Sequence, residues 1–108
     1  MRQRKSRCTL LTTHALVLLC IARNGESRLR DLAQEVGVTE RTAQTVVADL
    51  VRAGYLTRTR VGRRNVYEIN RQRPLEHPLT AASKLGELIE ALRTDVPPAL
   101  ERSQPAPA

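Results

Sequence analysis

At Gly54 the spacing of apolar side chains changes from a helical period to strict alternation, so the chain must join a helix almost directly to a pair of strands. Upstream, Thr39 to Gly54 reads TERTAQTVVADLVRAG. At about 100° per residue, Ala43, Val46, Val47 and Leu50 gather on one side, with Arg41, Gln44, Thr45, Ala48 and Arg52 on the other. Thr39 is placed to cap the first turn through its hydroxyl, an arrangement worth about 1 kcal/mol, and Gly54 suits the left-handed position past the last turn. Glu40 complements the positive end of the helix dipole and is given a structural role only. Downstream, YLTRTR (55–60) and NVYEIN (65–70) are rich in Thr, Val, Tyr and Ile and read as strands. Val61-Gly62-Arg63-Arg64 between them completes a β-hairpin, which gathers Arg58, Arg60, Arg63 and Arg64 beside the polar helix face.

The segments before this pair are helical. Thr12 or Thr13 can cap a helix from His14 to about Arg23, ended by Asn24-Gly25. Its run ALVLLCIA is apolar almost all round, as expected of a helix enclosed by neighbours, with Cys20 as a small core hydrophobe. Ser27 to Leu29 is extended in character, and Asp31 to Val36 forms a short helix that buries Leu32, Ala33 and Val36. Gly37 lies in the turn that follows. Two helices joined by a Gly-containing turn, the second with a polar outer face, make a helix-turn-helix.

After the hairpin, residues 71–78 form a connector punctuated by Pro74 and Pro78. Leu79 to Arg93 reads as a helix with Ala81, Ala82, Leu85, Leu88, Ile89 and Leu92 on one face and Lys84, Glu87 and Glu90 opposite. Such a stripe must be covered, either by folding back or by a second copy of the chain. Pairing in a homodimer is the preferred expectation, carried by Leu85, Leu88, Ile89 and Leu92. The division is then a flexible basic arm (1–9), a domain of helix-turn-helix and hairpin (10–73), a connector with a dimerisation helix (74–94) and a disordered Pro/Ala-rich tail (95–108). The fold class is mainly α with a small β-hairpin, α+β.

Eighteen Lys plus Arg stand against eleven Asp plus Glu, a net charge of +7 and a pI near 10.7, which points to a polyanionic partner. Only Lys5 and Lys84 are lysines; arginine suits bidentate contacts, although base composition of the genome can produce the same bias. Tyr55 and Tyr67 are the only aromatic residues, too few for the stacking platforms that hold single strands. Duplex DNA is the better match. Cys8 and Cys20 do not make a disulfide scaffold, and with His14 and His77 they offer no metal-ligand spacing, so no cofactor or metal is expected. The longest apolar run, 15–22, is far short of the ~20 residues needed to span a bilayer. No membrane or targeting segment and a cytoplasmic location are expected. No nucleophile–base pair, paired carboxylates or phosphate-binding Gly loop marks an enzyme.

The order of these segments, with DLAQEVGVTERTAQ leading into ADLVRAGYL and then VGRRNVYEI, resembles the winged helix-turn-helix domains of bacterial regulators of the MarR and ArsR type over roughly residues 10–70. The resemblance implies a helix in the major groove, reaching it through Arg41, Thr42, Gln44 and Thr45, and a wing with Arg63 and Arg64 at its tip. The cysteine motif of metal-sensing ArsR proteins is missing and the long flanking helices of MarR proteins are absent or shortened, so effector sensing is not carried over from either. Residue chemistry assigns Arg41 to guanine, Gln44 to adenine and Thr45 to a base or thymine methyl. Thr42, Arg52, Arg58, Arg60, Arg63 and Arg64 are assigned to phosphates. Arg52 also suits a purely dipole-compensating role at the helix end. A winged helix serving as a protein-interaction adaptor remains the alternative, as does, to a smaller degree, recognition of RNA or left-handed duplexes by shape.

Overall fold

The computed structural model describes residues 8–92, in the order α1 (Thr13–Arg23), α2 (Leu29–Val36), α3 (Glu40–Arg52), β1 (Leu56–Val61), β2 (Arg64–Ile69) and α4 (Leu85–Leu92). The basic arm, apart from Cys8 and Thr9, and the tail expected at 95–108 lie outside the described residues. β1 and β2 pair antiparallel from Leu56 with Ile69 to Val61 with Arg64, leaving a two-residue turn at Gly62-Arg63. The expected strands are therefore present with both inner ends extended by one residue towards the tip.

α1 runs through the middle of the core. Thr12 caps it by accepting from the Ala15 N–H at 3.2 Å, and Val17, Leu18, Leu19 and Ile21 are buried against α2, α3 and β2. Cys20 packs at the edge of this core, where burial, only partly offset by Arg23, pushes its thiol pKa up and keeps it protonated.

Two expectations are corrected. Ser27 to Leu29 does not form one extended segment: Arg28 is extended, as N-cap of α2, and Leu29 already begins the helix. The preceding turn consumes the backbone groups a strand would offer, since Asn24 O accepts from Ser27 N and Asn24 Oδ1 from Glu26 N. The Asp31 carboxylate then accepts from Arg28 N at 3.3 Å, fixing the helix start two residues earlier than the sequence suggests.

The last helix starts at Leu85 and not at Leu79. Residues 79–82 are turns, with Thr80 N bonded to His77 O and Ser83 N to Thr80 O, and Ala81 and Ala82 are exposed. A bridge between Pro74 and Lys84 and the bond from Leu75 N to Ser83 O hold this segment against the connector. The connector also supplies partners for the first N–H groups of α4, from Leu85 to Arg73 O and from Gly86 to Arg71 O, both at 2.9 Å. Leu85 and Ile89 enter the chain's own core at 1 % and 6 % exposure, so this half of the stripe folds back and is not available to a second copy. Leu88 is partly buried against the same core, and Leu92, at 37 %, is the outermost member.

Candidate nucleic-acid interface

α3 separates its two faces as the sequence requires. Ala43, Val46, Val47 and Leu50 are all at most 4 % exposed, while Arg41, Thr42, Gln44, Thr45 and Arg52 face outward and Ala48 is half-buried. Burying four apolar side chains on one face, at roughly 1.5–3 kcal/mol for each large one, fixes which residues the other face displays. Among the described residues, the side chains of Arg41, Gln44 and Thr45 have no hydrogen bond or ion pair. Thr42 differs: its N–H donates to Thr39 Oγ1, and its own hydroxyl accepts from Thr39, both at 3.0 Å.

Both ends of α3 are fixed. At its start Thr39 caps the first turn. At its end Gly54 adopts φ +88°, the Tyr55 N–H returns to Leu50 O and the Gly54 N–H to Val51 O, the paired bonds of a Schellman closure. Asn70, just past β2, and Arg73 of the connector then cover two further carbonyls. Arg73 Nε donates to Ala53 O at 3.0 Å and Asn70 Nδ2 to Gly54 O at 2.7 Å, which sets a positive charge at the negative end of the helix dipole. The Arg73 guanidinium also lies 5.0 Å from the centre of the Tyr55 ring, and the Tyr55 hydroxyl accepts from Glu76 N. The sequence gives no local sign of this arrangement, because Asn70 and Arg73 are remote from α3 along the chain.

A third tie joins α3 to α1. His14 Nε2 donates to Asp49 Oδ2 at 3.0 Å, and Arg52 donates to Asp49 Oδ1 at 2.5 Å. His14, placed at the surface by its position near the start of α1, thus acts as a cross-helix donor, and Arg52 is engaged at the helix end by Asp49. The hydrogen bond from His14, followed by the charges of Arg52 and His14, outweighs desolvation and holds the Asp49 carboxyl below its ordinary value of 3.8. A depressed carboxylate pKa stabilises the fold above the unfolded value and ceases to do so as pH falls through the folded value. We therefore expect the Tm difference between the intact chain and Asp49→Asn to be largest near neutrality and to shrink below about pH 4, as thermal melts across acid pH can show. A constant difference down to pH 2 would remove the ionic role of Asp49.

The wing projects past the core. Arg58 and Arg60, two residues apart, share one face of the ribbon opposite Tyr67 and Asn65, and all four wing arginines are exposed. They are not equivalent. Arg60 Nε reaches Gly62 O at 3.4 Å, whereas Arg64 donates to Glu26 O at 2.7 Å and so ties the wing to the turn before α2. Arg63 is left as the arginine of the tip without a side-chain partner among the described residues. Arg28 and Arg30, which no motif distinguishes, are brought to the same side as the tip by α2.

Three helices around a core, the second and third joined through Gly37, and a basic two-stranded hairpin directly after the third define a winged helix-turn-helix, the architecture of a DNA-binding transcription regulator. A model of the MarR family matches residues 9–64, more than half of the chain, and the protein belongs to that family. No curated protein and no solved structure matches the chain. Most of β2, the connector and α4 lie beyond the matched residues. Among the described residues, no cluster of three metal-ligating side chains occurs and no helix is long and apolar enough to cross a membrane.

Proposed function

We propose that this MarR-family protein binds double-stranded DNA sequence-specifically, as a transcription regulator that places α3 in the major groove and lays the β1–β2 wing along neighbouring phosphates or the minor groove. The observation that carries this is the outer face of α3, where Arg41, Gln44 and Thr45 stand exposed with no side-chain partner among the described residues, followed in the chain by the wing arginines. Unpaired guanidinium and amide groups on a rigid helix are what base-edge recognition requires, Arg for guanine and Gln for adenine. Thr42, Arg52, Arg58, Arg60 and Arg63 serve the backbone; Arg64 retains guanidinium N–H groups for the same purpose while it holds the wing. Among the described residues, the exposed large apolar side chains, Leu10, Val61, Leu79 and Leu92, are absent from the outer face of α3, which favours DNA over an adaptor role for that face.

One winged helix meets one short half-site, and regulators of this family typically act as dimers. Two copies paired through Leu88 and Leu92 would bring two α3 helices to half-sites about one turn of DNA apart. The backbone part of the proposal predicts that Arg63→Ala weakens binding to every duplex alike and lowers the slope of log K against log salt by about one unit. Titration of a specific and a scrambled duplex at several salt concentrations measures both. An unchanged slope removes Arg63 from the interface.

A further inference from the structure

A hollow of about 680 Å³ lies between the wing and the start of α2 and reaches the first residue of α3. Arg28 and Arg30 contribute to it from α2 and its N-cap, Arg63 and Arg64 from the wing, and Glu26 and Glu40 are its carboxylates. None of these arginines forms an ion pair with either carboxylate, so their charge is not neutralised within the cleft among the described residues. Pockets for small organic ligands are mostly apolar with a few placed polar groups; a cleft with four guanidinium groups has the opposite character.

Its width is set by the fold. The Tyr67 N–H donates to Gly25 O at 2.9 Å and Arg64 to Glu26 O at 2.7 Å, two ties between the wing and the turn before α2. A Cβ at residue 25 would lie 2.5 Å from Tyr67 O, so only glycine permits this approach. The cleft therefore keeps its shape without a ligand. It also connects the two surfaces assigned to DNA, because Glu40 begins α3 and Arg63 is the wing tip.

We infer that this cleft seats one sugar–phosphate strand of the duplex as it passes from the groove occupied by α3 to the wing, with Arg28 and Arg30 as phosphate contacts alongside Arg63. The inference rests on the DNA-binding role proposed above. It makes the 28–30 segment a source of affinity independent of sequence, since guanidinium groups on phosphates position a duplex without reading its bases.

Three forms of the full chain are compared: intact, Arg28→Ala with Arg30→Ala, and Arg28→Lys with Arg30→Lys. Each is titrated with a labelled random-sequence duplex and with a duplex enriched by the intact protein, over a range of salt. The alanine pair is expected to reduce the salt slope by about one to two units, since each phosphate contact contributes about 0.9, with the ratio of specific to random affinity unchanged and the lysine pair near the intact slope. Intact-like slopes for the alanine pair, with DNA still bound, overturn the cleft assignment and leave the proposed function standing. Absence of salt-dependent duplex binding by the intact chain overturns both.

Discussion

Leu85→Ala is expected to destabilise the domain by about 2–5 kcal/mol, the cost of removing a fully buried leucine side chain, and so to lower Tm by at least about 8 °C in a domain of this size. Leu85 is 1 % exposed and belongs to the same cluster as Val17, Leu32, Val47 and Leu56, although it lies well beyond the hairpin in sequence. Its backbone is held as firmly as its side chain, by the bond from its N–H to Arg73 O. Leu79, 89 % exposed in the turn before α4, is the internal comparison. Leu79→Ala should change stability by no more than about 0.5 kcal/mol, as surface substitutions do. Melts of the two variants decide the matter: equal small effects would mean that α4 does not complete the core. A chain ended near Arg73 would lose Leu75, Leu85 and Ile89 from the core, so its oligomeric state would report damage to the domain as well as any loss of pairing.

Arg41→Ala is expected to cost about 1–3 kcal/mol on the preferred duplex, roughly five- to 150-fold in Kd, and to relax the preference at one base pair. The side chain is exposed and has no partner within the described protein, so the fold should melt as before. Binding to scrambled duplexes should fall much less, because what is lost is a base-edge contact and not the general attraction of a basic surface. If specific and scrambled duplexes are weakened by the same factor, Arg41 contacts phosphate, and the readout must pass to Gln44 and Thr45.

The parts of this protein that were legible in its sequence are those whose causes are local. Thr39 and Gly54 mark the ends of α3 because capping depends on residues within one turn, and its faces follow from the spacing of Ala43, Val46, Val47 and Leu50. The hairpin was equally readable from its alternation and Gly62-Arg63 turn. What failed depended on distant partners. Ala81 and Ala82 favour a helix by propensity, yet the Pro74–Lys84 bridge and the His77–Thr80–Ser83 turns direct the chain otherwise. An apolar stripe states that it must be covered but not by what, and here the domain itself covers Leu85 and Ile89. Of the candidate interface, the outward face of α3 was readable, whereas the tie of His14 to Asp49, the tie of Arg64 to Glu26 and the capping by Asn70 and Arg73 were not. Each joins groups whose meeting depends on the folded geometry and is not encoded in local spacing.

Selection from a pool of random duplexes by the full chain, followed by sequencing, shows whether the exposed side chains of α3 read a DNA sequence. The expected result is enrichment of a two-fold symmetric motif whose half-sites are separated by about one helical turn. Recovery of duplexes with no common sequence, or no recovery at physiological salt, would contradict it.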